Sequence, residues 1–152
     1  MSRARRTAGA GRGQWRSDAV ILAIVAALLF GQTAPVTSPG KLTQRQFKRM
    51  SAAKQIVLVD VRTKTEFTDG HIPGAISMSF ASINWMPEYD GMVETFKAAK
   101  KPVVLYCACR GESQALRAAD ILIEHGLTDV RVLVGGWNDW FNQNNRIAKG
   151  TR

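Results

Sequence analysis

Apolar residues along this chain fall into short unbroken runs separated by stretches with helical spacing. Ile56–Val59 (IVLV), Val103–Tyr106 (VVLY) and Val130–Val134 (VRVLV) are too short for helices and rich in branched side chains. Each predicts a strand buried on both faces of a parallel sheet. The first ends at Asp60 and the second is set off by Pro102. Ala75–Met78 predicts a short fourth strand. Between the second and third runs, Ser113–His125 places Leu116, Ala119, Leu122 and Ile123 on one face, and Gly126 stops the helix. Thr43 followed three residues on by Gln46 fits a capping box, and Phe47 and Met50 recur at helical spacing, so residues 43–53 predict a helix. Residues 79–100 hold one or two helices broken near Pro87 and Gly91, and Trp137–Asn144 forms a last short one. Strands and helices that alternate with short links imply an α/β fold, a parallel sheet covered by helices.

The first 40 residues follow another pattern. Ala19–Phe30 (AVILAIVAALLF) carries no charge, and residues 1–16 before it hold Arg3, Arg5, Arg6, Arg12 and Arg16 with no acid. A basic flank, an apolar run and a polar stretch form the layout of a secretory signal. The run is shorter than the ~20 residues that span a bilayer; counting on to Val36 gives about 18, near the lower limit. Ala34 is the best candidate for a cleavage position, with Gln32 two before it and Pro35 after it. A cleaved signal and an uncleaved anchor therefore both stay open. In either case the arginines stay in the cytoplasm and the remainder crosses, giving an exported or membrane-anchored protein that touches the membrane through residues 19–36. The expected organisation is a basic and apolar segment over 1–31, a linker rich in proline, glycine and hydroxyls over 32–41, a folded domain over 42–145 and a basic tail over 146–152.

Composition narrows the function. The chain has 152 residues, 45% hydrophobic and 22% charged, as in an ordinary globular domain. Two cysteines are too few for a disulfide scaffold, and two distant histidines, His71 and His125, argue against a closed metal site. The net charge is +9, but residues 41–152 hold 16 basic and 11 acidic side chains, a balance of +5. Much of the excess sits in the terminal tail rather than beside aromatics on the folded part, which argues against nucleic-acid binding.

The candidate chemistry lies where the VVLY strand ends. In parallel α/β sheets, ligands bind beyond the carboxyl ends of the strands. Cys107 stands there, followed by Ala108, Cys109, Arg110, Gly111 and Glu112, and then by the helix from Ser113. Free backbone amides and the helix dipole at that point favour a thiolate, and Arg110 adds positive charge. Gly111 lets the loop turn without a side-chain clash. The alternative is an inert thiol buried at a strand end; the strand-to-helix setting favours the nucleophile.

Four motifs in order resemble those of rhodanese-like (sulfurtransferase) domains over about residues 42–142. They are LVDVRTKTEF (58–67), GHIPGAISM (70–78), VVLYCACRGES (103–113) and LVGGWNDW (133–140). The resemblance implies a three-layer fold with a parallel sheet of about five strands flanked by helices. It implies that Cys107 is catalytic, taking sulfane sulfur from a small donor as a persulfide and passing it to a thiol or cyanide-like acceptor, with no metal or organic cofactor. The backbone of Ala108, Cys109, Arg110, Gly111, Glu112 and Ser113 would cradle the persulfide and the substrate anion. Asp60, Arg62, Glu66 and His71 match positions framing the site. Arg62 is expected to pair with Glu66 four residues on, and His71 to bond backbone rather than act as a base. Gly74, Gly135 and Gly136 read as tight turns, and Trp137 and Trp140 as core or rim aromatics.

The sequence departs from the family in two places. Glu112 stands where a basic residue often precedes the helix, and a carboxylate there is expected to repel an anionic donor and to disfavour the thiolate. Cys109 adds a second sulfur, which could resolve a Cys107 persulfide or close a disulfide. Ser113 rather than arginine follows Cys107 by six, against a phosphatase loop. The reading is a sulfurtransferase, with a non-catalytic or redox-sensing binding module as the alternative and a thiol–disulfide oxidoreductase as a third. No protein partner is implied by the sequence.

Overall fold

The computed structural model of the chain describes residues 38–83 and 88–150. The expectations for residues 1–31, for the membrane contact through 19–36 and for Pro87 therefore lie outside the described residues. Among those described, no helix is long and apolar enough to cross a membrane.

Five parallel strands form one sheet. They are β1 (Gly40–Leu42), β2 (Val57–Asp60), β3 (Ala75–Ser77), β4 (Val103–Tyr106) and β5 (Val130–Leu133), in spatial order β1-β5-β4-β2-β3. Five helices flank the sheet: α1 (Gln44–Ala52), α2 (Lys64–Asp69), α3 (Glu88–Ala99), α4 (Ser113–Glu124) and α5 (Gly136–Asn142). The expected α/β architecture is the one the chain adopts. β4 is central, and all four of its residues are buried. Val103 and Leu105 enter one apolar layer, with Val93 and Phe96 of α3 and Ala115, Ala119 and Leu122 of α4. Val104 and Tyr106 enter the other, with Phe47 of α1 and Phe67 of α2, against which Trp137 and Trp140 of α5 pack. A strand that faces apolar layers on both sides needs an unbroken apolar run, which is why VVLY lacks alternation.

Several local expectations are corrected. The buried stripe of α4 is Ala115, Ala118, Ala119 and Leu122. Leu116 and Ile123 are only partly buried, because small side chains face the sheet and let the helix approach it. Gly91 does not break a helix but lies inside α3. Gly40 and Lys41 belong to β1, paired with Arg131 and Val132, rather than to a linker. Three residues with only Leu42 buried give no periodic signal, so this edge strand is silent in the sequence. Residues 146–150 are tied down rather than forming a tail. His71 and Ala148 exchange backbone hydrogen bonds at 2.9 Å each, and the Gly150 N–H donates to the Thr68 carbonyl. The Trp140 indole N–H also donates to the Arg146 carbonyl.

Candidate active site

Cys107 follows the last residue of β4 and is 1% exposed. Its backbone is held by the turn into α5: the Trp137 N–H donates to the Cys107 carbonyl at 2.9 Å. Gly136 sits at φ +47°, and a Cβ there would run into that same carbonyl oxygen. This close approach is the physical need behind the Gly135-Gly136 pair. The loop then passes through two consecutive left-handed residues, Gly111 at φ +66° and Glu112 at φ +56°, before α4 begins.

The Glu112 carboxylate is held by the β5–α5 turn. It accepts a hydrogen bond from the Gly135 N–H at 2.9 Å, strapping the loop to the β5–α5 turn. A backbone amide thus holds this carboxylate, which stays in the loop between Cys107 and α4. Asn138 adds a second strap, its side-chain amide donating to the Ala108 carbonyl at 2.9 Å. Arg110, Gly111 and Ser113 are exposed, and among the described residues Arg110 forms no ion pair.

The structure joins Cys107 and Cys109 as a disulfide, with their Cα atoms 5.5 Å apart. The Gln114 N–H, in the first turn of α4, donates to Cys109 Sγ at 3.3 Å. One amide donor at the helix start thus engages the second cysteine here. Cys109 is half-buried and lines a cleft of about 300 Å³ together with Ala108, Gln114, Phe80, Ser79 and Val61. A separate depression of about 410 Å³, bordered by Lys97, Lys100 and Lys101, lies beside Pro102 at the amino end of β4 and is lined by no cysteine.

Beneath the loop lies a buried charge pair. Asp60, fully buried at the end of β2, accepts from Arg62 Nη2 at 2.6 Å and from Arg62 Nε at 3.0 and 3.1 Å. Arg62 Nη2 also donates to the Gly70 carbonyl at 2.7 Å, and its guanidinium lies 4.1 Å from the Trp137 ring centre. Burial alone would depress the Arg62 pKa, but hydrogen bonding and the charge of Asp60 outweigh it and hold the guanidinium above its usual value. The expected Arg62–Glu66 pair is corrected. Arg62 precedes the cap of α2, so its side chain turns back to the sheet, while Glu66 caps Thr63 with oxygen-to-nitrogen and oxygen-to-oxygen distances of 3.0 and 2.6 Å. His71 behaves as expected: Nδ1 lies 2.8 Å from the Phe67 carbonyl and the ring stacks on Phe67. Tyr106 completes the floor, its hydroxyl accepting from the buried Ile72 N–H at 3.1 Å. Burial and then the charge of Asp60 push the Tyr106 phenol well above its ordinary pKa.

The Rhodanese-like domain profile matches residues 43–143. The chain belongs to the rhodanese-like domain family. Curated relatives align with most of this domain. The chain is 31% identical over 103 residues to thiosulfate sulfurtransferase GlpE of Shewanella oneidensis, covering 68% of this chain and 93% of that protein. It is 32% identical over 87 residues to thiosulfate sulfurtransferase GlpE of Coxiella burnetii, covering 57% and 73%. Among solved structures, the BH2092 protein of Bacillus halodurans superposes with a TM-score of 0.59 at 22% identity, covering 88% of this chain and 86% of that one. At that identity the likeness shows the rhodanese-like fold. Sequence reasoning missed Asn138 and Gln114 as parts of this family's loop environment here. Neither has a signal in the sequence, since each acts through a contact made only once the sheet is assembled.

Proposed function

We propose that this rhodanese-like domain is a sulfurtransferase whose Cys107 carries the transferred sulfur as a persulfide. The observation that carries the reading is the placement of Cys107 at the carboxyl end of the central strand, with its carbonyl fixed by Trp137 and its loop leading into α4. A thiolate there stands one short loop before a twelve-residue helix, whose amino end favours sulfur nucleophiles. The loop residues Ala108, Cys109, Arg110, Gly111, Glu112 and Ser113 enclose the sulfur and its donor anion. Asp60, Arg62 and His71 hold the floor, and Glu66 holds the neighbouring helix cap. Relatives named thiosulfate sulfurtransferase make thiosulfate the first donor to test, and the acceptor is a thiol or a cyanide-like nucleophile. The reaction as proposed needs no metal or organic cofactor.

The deciding experiment is intact mass of the reduced full chain after incubation with thiosulfate, mercaptopyruvate or polysulfide. The expected result is a gain of one sulfur, absent in Cys107→Ser, with thiocyanate formed on adding cyanide. No sulfur on either the wild-type or the Cys109→Ser chain with any donor, and no sulfide released, would favour a redox-sensing binding module instead. That second reading draws support from the disulfide, which occupies the nucleophile. The basic and apolar N-terminal pattern supports an exported, membrane-attached or processed protein. A reporter fused after Arg152 is expected to be active only outside the cytoplasm; activity inside, without membrane association, overturns that placement.

A further inference from the structure

We propose that Cys109 is a second catalytic cysteine, which ends the reaction by expelling the transferred sulfur as sulfide and makes the domain a dithiol-dependent sulfide-releasing enzyme. The proposal rests on the reading of Cys107 as a persulfide carrier and adds a second activity at the same loop.

Three observations carry it. The backbone already brings the two sulfurs into bonding contact, with Cα atoms 5.5 Å apart, inside the range that a disulfide accepts without moving the chain. The Gln114 N–H donates to Cys109 Sγ at 3.3 Å, so Cys109 has its own amide donor at the start of α4 to stabilise a thiolate. Finally, the two sulfurs differ in access. Cys107 is 1% exposed, whereas Cys109 lines the cleft that opens beside Phe80 and Gln114. An acceptor from solution meets Cys109 before it meets Cys107.

The Cys107 thiolate attacks the sulfane sulfur of the donor and becomes a persulfide anion, and the donor leaves with its electron pair (sulfite, when thiosulfate is the donor). Cys109 then attacks Cys107 Sγ. The Sγ–Sγ bond forms, the bond from Cys107 Sγ to the outer sulfur breaks, and the outer sulfur departs with that electron pair. The proton of the Cys109 thiol ends on the departing sulfur, giving HS⁻. The two cysteine sulfurs are left oxidised as the disulfide seen in the structure, and the sulfane sulfur is reduced to sulfide. A dithiol reductant restores both thiols: one of its thiolates attacks the accessible Cys109 Sγ and frees Cys107, and its second thiol closes the reductant's own disulfide. A donor and a dithiol are thus converted to sulfide, the donor's remainder (sulfite, from thiosulfate) and an oxidised dithiol.

The test is a single turnover on the full chain. The protein is reduced, freed of reductant, loaded from thiosulfate and followed by intact mass and sulfide release with no added thiol. Wild type is expected to lose the added sulfur, release one sulfide per chain and end with both cysteines closed to alkylation. Cys109→Ser and Cys109→Ala are expected to keep the persulfide over the same period, with circular dichroism matching wild type. Adding a dithiol such as dithiothreitol is expected to make sulfide release by wild type catalytic. Persulfide loss from both Cys109 variants at the wild-type rate overturns the role of Cys109. A stable wild-type persulfide beside an alkylatable Cys109 overturns it too, while leaving Cys107 as the carrier. If neither wild type nor the Cys109 variants gain sulfur and no sulfide is released, both this proposal and the transfer reading fall.

Discussion

Tyr106 and Arg62 show how single side chains hold the floor of the site. Tyr106 offers its hydroxyl to the Ile72 N–H, and both groups are buried. Tyr106→Phe keeps the ring but leaves that N–H without an acceptor, which costs about 1–3 kcal/mol. Urea unfolding is expected to show a lower midpoint with an unchanged slope. Arg62 neutralises Asp60 in a setting where neither charge reaches water. Arg62→Met alone strands the carboxylate and is expected to cost about 3–5 kcal/mol, whereas Arg62→Met combined with Asp60→Leu recovers much of the loss. A double-mutant cycle by chemical denaturation checks this, and equal losses in the single and double variants would sink it. The importance of Asp60 and Arg62 was legible in the sequence; the partner of Arg62 was not. Four-residue spacing suggested Glu66, but spacing rules hold only within a helix, and the helix begins after Thr63.

Among the elements, α2 depends most visibly on local chemistry. It has six residues, too few to be stable alone, and Thr63 and Glu66 cap each other's backbone at its start. Thr63→Ala is expected to cost about 1 kcal/mol. The Glu66 carboxyl is held below its usual pKa, first by the Thr63 hydroxyl, with partial burial opposing and the Thr63 N–H and the Arg62 charge assisting. A depressed carboxyl contributes stability that is present above its unfolded value and fades as pH falls through its folded value. The penalty of Thr63→Ala is therefore expected to be full at neutral pH and to shrink in acid, read from denaturation midpoints at each pH. A penalty that grows in acid contradicts this cap. The Thr-x-x-Glu pattern made α2 readable in principle, yet its lone buried apolar residue, Phe67, gave no periodicity to draw attention to it. β2, β4 and β5 were legible because each faces apolar layers on both sides. β1 was not, because an edge strand with a single buried residue looks like the linker beside it.

At the scale of the whole molecule, four motifs distant in sequence meet around one loop, and their order alone disclosed the fold and the cysteine proposed as nucleophile. The contacts that tune the loop, Glu112 to Gly135 and Asn138 to Ala108, were hidden, since they join residues 23 and 30 positions apart. The last segment is equally long-range. Removing residues 146–152 deletes the His71–Ala148 pairing and the acceptor of the Trp140 indole. The truncated chain is expected to melt below the full chain, and an unchanged melting temperature contradicts that anchoring role.

All five strands run the same way, and this gives the domain a heel and a toe. The chain enters β1 at the amino ends of the strands, the heel, and Cys107 lies at the carboxyl ends, the toe. The chain upstream of residue 40 therefore joins the domain at the heel, the end opposite Cys107. The downstream end behaves differently, because Ile147 and Lys149 border the same groove as Ala108. A bead coupled through the first residues is expected to leave donor access as it is in solution. A bead coupled through the last residues is expected to crowd the toe and raise the apparent KM for a bulky acceptor, and equal kinetics from the two orientations would argue that approach to the loop is open from every side.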